Sequence, residues 1–452
     1  MNTPNNNHRG FWATRLGFIL AASGSAIGLG NVWKFPYITG QNGGGAFVLI
    51  YLVCIFLVGL PIMLAEFTIG RKTNLNPVGA FQTLRPGTPW VVTGFMGVLG
   101  GFLILSFYGV VGGWTLAYVV KSVTQSISQF ASPQEAGEFF GAFIANPGEI
   151  LIYHAVFMGM CIAIVIKGVH GGIERSCDIL MPTLVIMLVV LMIRSLTLPG
   201  AMEGVKFYLY PDFSKINPSV ILIALGQAFF SLSLGMGAMI TYGSYLSQKE
   251  NLTSSTVYVV LFDTLIALLV GMVIFPAVFA MGLEPTEGPS LVFSVLPTVF
   301  SNLPFGTVVS VIFFILLAIA ALTSGISLLE VVVAYFIDQR GWPRQKAVLV
   351  MGGIIFTMGI PSGLSFGVLG DAKLFGMTFF DHVDNIASNY LLPLGGMLTA
   401  IFVGWVWGPQ AAQDEIEKHE TKFHWAVAWS FLIRYITPIL VLLVFLAKFF
   451  NV

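Results

Sequence analysis

The chain has 452 residues, of which 56% are hydrophobic and only 9% are charged. An ordinary soluble domain carries about 25% charged residues, so most of this chain is not suited to a water-facing surface. Its mean hydropathy is +0.87, and its apolar runs are long enough to cross a hydrocarbon core of about 30 Å. Lys plus Arg and Asp plus Glu are balanced at 21 each, which leaves no basic excess for binding nucleic acid. The composition therefore excludes a soluble enzyme or a nucleic-acid binder as the main interpretation.

Eleven apolar segments follow one another along the chain. Each is long enough for a membrane helix, and none shows the period-2 alternation of a membrane barrel. They lie at about 16–38, 44–70, 90–123, 150–167, 176–198, 218–246, 255–282, 304–337, 345–361, 376–407 and 424–450. The polar stretch before the first segment has no small-residue cleavage site, so that segment is expected to be retained as a span. The prediction is an all-α membrane protein with eleven transmembrane helices.

Basic residues are unevenly divided between the two sides that alternating spans define. One side holds most of them: Arg9, Arg15, Arg71, Lys72, Arg85, Lys167, Arg175, Lys249, Arg340, Arg344, Lys346, Lys418 and Lys422. The other side holds Lys121, Lys206, Lys215, Lys373 and Lys448. Because positively charged loops stay in the cytoplasm, this asymmetry predicts a cytoplasmic N terminus and an external C terminus. The expected location is the cell (inner) membrane, as a multi-pass protein.

Small and polar residues interrupt two predicted spans near their middles. The first span carries Gly24, Gly28 and Gly30, and the sixth reads Phe-Phe-Ser-Leu-Ser-Leu-Gly-Met-Gly over residues 229–237. Each glycine costs roughly 1 kcal/mol relative to alanine in a helix interior. One such cluster alone favours simple close packing of helices. Two clusters five spans apart favour unwound first and sixth helices in two inverted five-helix repeats, followed by one extra helix.

The repeat also predicts how the chain is divided. The expected parts are a cytoplasmic tail at 1–15, a first repeat at 16–198, an external connection at 199–217, a second repeat at 218–407, a cytoplasmic loop at 408–423 and the eleventh helix at 424–452. A break at mid-membrane frees carbonyls that can coordinate cations and amides that attract a carboxylate. Because such backbone is tolerated only in a protein interior or a wet cavity, the two breaks predict a binding site.

Charged side chains inside predicted spans are the next candidates, since each costs on the order of 3 kcal/mol at the centre of a bilayer. They are Lys34, Glu66, Asp263 and Asp384. Asp263 could complete a cation site with the hydroxyl of Ser231 and the amide oxygen of Asn31. The alternative is a protonated carboxyl group hydrogen-bonded to backbone. Glu66 is predicted to cap exposed amides of the broken helices.

The eighth span places two hydroxyl groups side by side, on Thr323 and Ser324. Oxygen ligands without soft ligands favour hard cations over zinc or copper. Hydroxyls in membrane helices usually bond the carbonyl one turn back, so this pair alone is a weak signal.

Several motifs in one order resemble the neurotransmitter:sodium symporter family over nearly the whole chain, and among its members the bacterial transporters of multiple hydrophobic amino acids most. They are Trp12-Ala-Thr-Arg15, Gly28-Leu-Gly-Asn-Val-Trp-Lys-Phe-Pro36, Asn42-Gly-Gly-Gly-Ala-Phe47, Gly226-Gln-Ala-Phe-Phe-Ser-Leu-Ser-Leu-Gly235, Leu322-Thr-Ser324 and Asp381-His-Val-Asp384. The resemblance implies a leucine-transporter fold and two sodium sites. The first would use the carbonyl of Ala26, the side chains of Asn31, Ser231 and Asp263, and the substrate carboxylate. The second would use the carbonyls of Gly24, Ile27 and Ala320 and the hydroxyls of Thr323 and Ser324.

The resemblance also implies a substrate pocket between two gates. Tyr108 and the amides of Leu29 and Gly30 would hold the substrate carboxylate. The pocket residues would be Ala26, Gly28, Leu29, Gly30, Ile104, Tyr108, Phe230, Ser231, Ser233, Met236, Ser324 and Leu328. The outer gate would be Lys34 and Asp384, with Phe230 closing the pocket. The inner gate would be Arg9 and Asp338, with Trp12 and Tyr245 nearby.

Departures from the family pattern sharpen the expected function. Gly28 replaces the aspartate of the monoamine carriers, which favours an α-amino acid as substrate. Asp263 stands where the family often has asparagine, and its negative charge predicts transport without chloride. Lys34 replaces the usual gate arginine and offers a point charge instead of a bidentate fork, which weakens the case for a direct pair with Asp384.

The expected function is a sodium-coupled symporter that imports large aliphatic and aromatic L-amino acids by alternating access. Its partners would be the amino acid, sodium ions and the lipid bilayer, with no organic cofactor and no nucleic acid. The alternative is a receptor or channel on the same scaffold. No signature of an intramembrane hydrolase is present, so an enzyme is not expected.

Overall fold

Helices account for nearly all regular structure in the computed structural model, which describes residues 10–283, 285, 291–418 and 422–449. Thirteen described helical segments lie at the predicted spans: α1a (Arg15–Ala26) and α1b (Gly30–Gln41), α2 (Gly45–Thr73), α3 (Val91–Val123), α4 (Pro147–Val165), α5 (Val169–Leu196), α6a (Pro218–Ser231) and α6b (Ala238–Gly243), α7 (Leu252–Ala280), α8 (Gly306–Arg340), α9 (Arg344–Leu364), α10 (Phe379–Trp407) and α11 (Ala426–Leu446). Shorter helices lie at Pro77–Leu84, Pro133–Ala145, Ala201–Leu209, Val295–Ser301 and Pro409–Ile416. The described ranges contain isolated β-bridges but no strand. The all-α fold is confirmed.

Nine of the described helices are long and apolar enough to cross a membrane. The pair α1a and α1b makes a tenth span with a bend of 50° at its break. Helix α6a has 14 residues and extends about 21 Å at 1.5 Å per residue, which is short of a core of about 30 Å. The count of eleven spans stays a prediction, because α6 can cross only as α6a and α6b together.

Burial separates inner helices from outer ones. In the most apolar stretch of each helix, 72% of α3 and 78% of α8 is buried, against 28% of α5 and of α11. A helix that is apolar on all sides can occupy either environment, so the surrounding helices decide which one it has. Helices α3 and α8 thus form the interior wall on which the site is built.

Asparagine and threonine side chains mark where several helices begin. Thr14 Oγ1 accepts a hydrogen bond from the Gly17 amide, and Asn217 Oδ1 accepts one from the Val220 amide. These caps satisfy amides that the first turn of a helix leaves without partners. They fix the starts of α1a and α6a, the two helices that later break.

Helices α2 and α6b approach closely because glycines lie where they cross. A Cβ atom on Gly70 would lie 2.1 Å from the carbonyl oxygen of Ile240, and one on Gly243 would lie 2.8 Å from that of Phe67. A larger residue at either position would force the two backbones apart. The crossing fixes the second half of the broken helix α6 against α2.

A buried ion-pair network joins α2 to the connection between α10 and α11. Arg71 Nε lies 3.1 Å from Glu415 Oε1, and both side chains are fully buried. Arg71 also donates to the backbone carbonyls of Glu250 and Glu415. Lys72 and Lys418 contact the same carboxylate at 3.5 and 2.6 Å but are partly exposed. Arg71 is therefore the buried centre of this network.

Replacing Arg71 with glutamine is expected to lower the thermal unfolding temperature far more than Lys72→Gln does. Removal of one buried partner costs about 3–5 kcal/mol, whereas exposed pairs contribute about 0–1 kcal/mol. Differential scanning fluorimetry of the purified protein in detergent measures both variants. Equal shifts for the two variants would contradict the central role of Arg71.

Candidate functional site

The break between α1a and α1b exposes backbone groups deep in the protein. Ile27 is extended, with φ −73° and ψ 95°, and ends α1a. The Leu29 amide donates to the hydroxyl of Tyr108 on α3 at 3.1 Å. The Gly30 carbonyl accepts from Gln227 Nε2 on α6a at 2.8 Å. Side chains from other helices thus supply hydrogen bonds to backbone groups beside the break.

The break between α6a and α6b needs backbone conformations that favour glycine. Gly235 and Gly237 have φ values of +76° and +74°, and Ser233 has +53°. The Gly235 amide donates to Glu66 Oε1 on α2 at 2.8 Å. Ser233 Oγ donates to the Ser25 carbonyl at 2.9 Å and ties the two breaks together. Glu66 is fully buried and therefore caps an amide that the break leaves without a helical partner.

Three predicted ligands of the first sodium site meet around the Asp263 carboxylate on α7. Asn31 Nδ2 donates to Asp263 Oδ1 at 2.8 Å, and Ser231 Oγ donates to Oδ2 at 2.9 Å. Tyr51, which the sequence did not single out, donates to Ser231 Oγ at 3.0 Å. All of these side chains are fully buried. No salt bridge to Asp263 occurs among the described residues, so its partners there are neutral oxygen and nitrogen groups.

Two of the predicted ligands of the second sodium site, Gly24 on α1a and Ser324 on α8, lie together. Ser324 Oγ lies 3.4 Å from the Gly24 carbonyl and 3.0 Å from that of Ser25. Thr323 Oγ1 lies 3.1 Å from the Ala320 carbonyl. Carbonyl and hydroxyl oxygens are the ligands that hard cations prefer. Groups of three or more His, Cys, Asp or Glu side chains suited to a transition metal are not found in the described ranges.

A small cavity of about 20 Å³ lies between the two breaks. The residues that line it are Ser25, Ala26, Gly28, Leu29, Gly30, Ile104, Tyr108, Phe230, Ser233, Met236, Ser324 and Leu328. Of the predicted pocket residues, only Ser231 is missing from this lining, because its hydroxyl points to Asp263. Ser25 was not predicted. Its position in the Gly24 to Gly28 segment is the only sequence signal that could have indicated it.

At the outer gate, Lys34 and Asp384 do not form a salt bridge in the described structure. Lys34 Nζ lies 4.3 Å from the centre of the Phe230 ring. Asp384 Oδ1 accepts a hydrogen bond from Ser388. A cation over an aromatic ring is attracted by the ring quadrupole, so Lys34 contacts Phe230, the residue predicted to close the pocket, instead of pairing directly with Asp384.

At the end of the protein where α1a begins, the predicted inner-gate residues make hydrogen bonds and ring contacts. Asp338 Oδ2 accepts from the backbone amide and side-chain amide of Asn76 at 2.8 and 2.9 Å. Trp12 Nε1 donates to the Tyr242 carbonyl at 3.0 Å, and its ring lies 6.1 Å from that of Tyr245. The remaining predicted gate residue, Arg9, lies outside the described residues.

Glu174 on α5 is a further residue at this end that sequence reasoning missed. Its carboxylate accepts hydrogen bonds from the amides of Ala13 and Thr14 at 2.9 and 3.1 Å, and His170 Nδ1 lies 2.9 Å from Oε2. The pairing of α5 with the chain before α1a is a tertiary contact that the local pattern gave no sign of. It anchors the start of the broken helix.

A helical membrane protein with two broken helices around buried oxygen groups is a secondary transporter in its architecture. A model of the Sodium:neurotransmitter symporter family matches residues 9–134 and 139–452. The chain belongs to this family, and it is therefore a multi-pass, sodium-dependent transporter and not an enzyme.

Related proteins align with this chain along almost its full length. An uncharacterized sodium-dependent transporter, YhdH of Bacillus subtilis, is 44% identical over 96% of both chains. An uncharacterized sodium-dependent transporter of Haemophilus influenzae is 40% identical over 99% of this chain and 100% of its own. The crystal structure of MhsT in complex with L-phenylalanine superposes with a TM-score of 0.90 at 53% identity, over 97% of this chain and 99% of MhsT. This likeness confirms the predicted leucine-transporter fold.

Glu66→Ala and Glu66→Gln are expected to differ strongly in stability. Alanine leaves the buried Gly235 amide without an acceptor, which costs about 1–3 kcal/mol, whereas glutamine keeps an oxygen in place. Thermal unfolding in detergent should show a large drop for alanine and a small one for glutamine. Equal drops would mean that the negative charge, and not the acceptor, stabilises the break.

Proposed function

We propose that this transporter imports large aliphatic and aromatic L-amino acids together with sodium, by alternating access. The observation that carries the proposal is the polarity of the cavity between the two breaks. The Leu29 amide and the Tyr108 hydroxyl lie together in its lining, which also includes the apolar side chains of Ile104, Met236 and Leu328. This arrangement suits a molecule with one carboxylate and one apolar side chain.

The polar end fits the carboxylate. The Leu29 amide and the Tyr108 hydroxyl are hydrogen-bonded to each other at 3.1 Å and can both turn to an anionic oxygen. Amides at the start of a helical segment carry partial positive charge, which stabilises a carboxylate. Ser324 lies on the same wall, and a Cβ atom on Gly28 would lie 2.4 Å from its hydroxyl oxygen. Glycine at position 28 therefore keeps room beside these donors.

The apolar part of the lining matches a hydrophobic side chain in chemistry, and the cavity of about 20 Å³ would have to widen to admit one. The cavity lining contains no charged residue, so the charged side chain of glutamate or lysine would be buried without a partner. Met236 is flexible and polarizable, and adapts to aliphatic and aromatic shapes. The L-phenylalanine bound by MhsT, at 53% identity, supports the same substrate class.

Two sodium ions are proposed at the two oxygen clusters. Asp263, Asn31 and Ser231 would hold the first with the Ala26 carbonyl and the substrate carboxylate. The second would use the oxygens of Gly24, Ile27, Ala320, Thr323 and Ser324. Because the substrate carboxylate would contact the first ion, each would raise the affinity of the other.

Alternating access would follow from two inverted five-helix repeats, at 16–198 and 218–407, with the N terminus in the cytoplasm and the C terminus outside. Sodium can drive such a change only through different affinities for the two states. The Glu174 and Asp338 contacts would hold the inner side closed, and opening to the cytoplasm would require them to separate.

Reconstituted proteoliposomes test the function directly. An inward sodium gradient should drive accumulation of labelled tryptophan above its external concentration, and unlabelled leucine should compete whereas glutamate and lysine should not. Replacing sodium with potassium is the matched control. Binding without accumulation would indicate a receptor, and flux only down the tryptophan gradient would indicate a channel.

Tyr108→Phe is expected to raise the KM for tryptophan by about 10-fold to 100-fold, because a hydrogen bond to a charged group is worth about 1.5–3 kcal/mol. Tyr118→Phe is the control, since Tyr118 lies on the same helix, is buried and donates to the Phe293 carbonyl. Uptake kinetics in the same proteoliposomes measure both. A KM for Tyr108→Phe that matches the control would contradict the carboxylate role.

Uptake is expected to persist when chloride is replaced by gluconate, because the Asp263 carboxylate supplies negative charge beside the first ion. Asp263→Asn should raise the sodium concentration for half-maximal uptake at least severalfold. Asp212→Asn, in the connection after α5, serves as the control. Loss of wild-type uptake in gluconate would refute the chloride prediction, and an unchanged sodium response of Asp263→Asn would refute the sodium assignment.

A further inference from the structure

Arg434 lies within the apolar span α11 and is not among the residues that line the substrate cavity. Its guanidinium carbon is 4.5 Å from the centre of the Trp405 ring and 5.9 Å from that of Tyr435. The Trp405 indole donates to the Arg434 carbonyl at 2.9 Å, which fixes the ring on the arginine. A Cβ atom on Gly404 would lie 3.0 Å from Arg434 Cα, so α10 and α11 are in close contact here. The side chain is thus held in place by rings from both helices.

The charge of Arg434 has no acidic partner among the described residues. Its Nε atom is buried and donates to no acceptor there, and no described carboxylate forms a salt bridge with the guanidinium. A cation inside a membrane span is unfavourable unless a partner or water compensates its charge. The two rings offset part of this cost but contribute no hydrogen-bond acceptor.

The surroundings of Arg434 face lipid at the level where α10 ends. Trp405 is 54% exposed and Tyr435 is 41% exposed. Trp405 lies close to Trp407, the last residue of α10. Exposed tryptophan and tyrosine residues are typical of the membrane interface, where the lipid headgroups lie. An arginine at this depth can direct its Nη atoms toward the headgroups.

A second guanidinium reaches the same helix end. Arg85 Nε donates to the carbonyl of Val406, next to Trp405, at 3.0 Å. Among the described residues Arg85 also has no salt bridge to a carboxylate. Neither guanidinium has a carboxylate partner there, and Arg434 lies beside two exposed aromatic rings. This favours a ligand that carries negative charge and several acceptor oxygens.

We propose that Arg434, Trp405, Tyr435 and Arg85 form a binding site for the phosphate group of an anionic phospholipid. The Arg434 fork donates to the phosphate oxygens, the rings contact the glycerol and upper acyl region, and Arg85 adds a second positive charge. The site clamps α10 to α11 at their adjoining ends. It is independent of the substrate cavity and of the proposed substrate.

Native mass spectrometry of the delipidated full chain in detergent tests the site. On titration with phosphatidylglycerol, wild type should retain one lipid with an affinity about tenfold higher than Arg434→Gln does, as expected for a charge-assisted hydrogen bond. Phosphatidylcholine should bind more weakly than phosphatidylglycerol. Arg194→Gln is the matched control, because Arg194 also lies near the end of a membrane helix but donates to Thr197 Oγ1.

The outcomes separate the possible sources of phosphate. Equal lipid binding by wild type and Arg434→Gln, or equal losses for Arg434→Gln and Arg194→Gln, would overturn the proposal. Displacement of the lipid by millimolar inorganic phosphate would also overturn it, since that would indicate a site for free phosphate. If Arg434→Gln does not fold, Arg434→Lys and Trp405→Leu take its place. Both should bind phosphatidylglycerol severalfold more weakly, because lysine lacks the planar fork and leucine lacks the ring that holds the arginine. Wild-type affinity in both variants would refute the site.

Discussion

Backbone hydrogen bonding inside a membrane is the constraint on which the rest of this structure depends. Within lipid, an amide or carbonyl that leaves its helix must find another partner in the protein. Helices α1 and α6 both break at depth, and other helices supply those partners: the Tyr108 hydroxyl for the Leu29 amide, and the Glu66 carboxylate for the Gly235 amide. The breaks are stable only in the company of α2 and α3. The binding site is therefore a property of the whole bundle and not of the two broken helices alone.

The groups that stabilise the breaks are also the groups that the proposed ligands would contact. Tyr108 satisfies the Leu29 amide and lines the cavity. Asp263 accepts from Asn31 and Ser231, which are themselves proposed ion ligands. Ion or substrate binding would exchange these internal hydrogen bonds for new ones instead of creating contacts from unpaired groups. Such an exchange keeps polar groups satisfied in both states, which makes reversible binding in a buried site energetically feasible.

The sequence was sufficient for features that depend on composition and local pattern. The apolar segments, the glycine clusters around Gly28 and Gly235, and the buried carboxylates all lie where they were predicted. It was insufficient where the outcome depends on rotation of one helix against another. Ser231 faces α7 and not the cavity, whereas Ser25 lines it. Both serines lie in the last turn of a helix, and the rotation of that helix within the bundle decides which side of the turn faces the cavity. Lys34 rests on Phe230 for the same reason, since its alternatives differ by a side-chain rotation that no pattern encodes.

Depth in the membrane explains the different partners of the few charges within spans. Glu66 and Asp263 are fully buried among helices, and each accepts hydrogen bonds from neutral donors of the protein. Arg434 lies near a helix end beside exposed aromatic rings, where the headgroups of the bilayer are the nearest source of acceptors. A charge in the interior must be matched by side chains that the sequence encodes, whereas a charge near the interface can be matched by the lipid. The free-energy cost of placing a charge in the membrane is thus offset by protein groups at Glu66 and Asp263, and by the proposed lipid contact at Arg434.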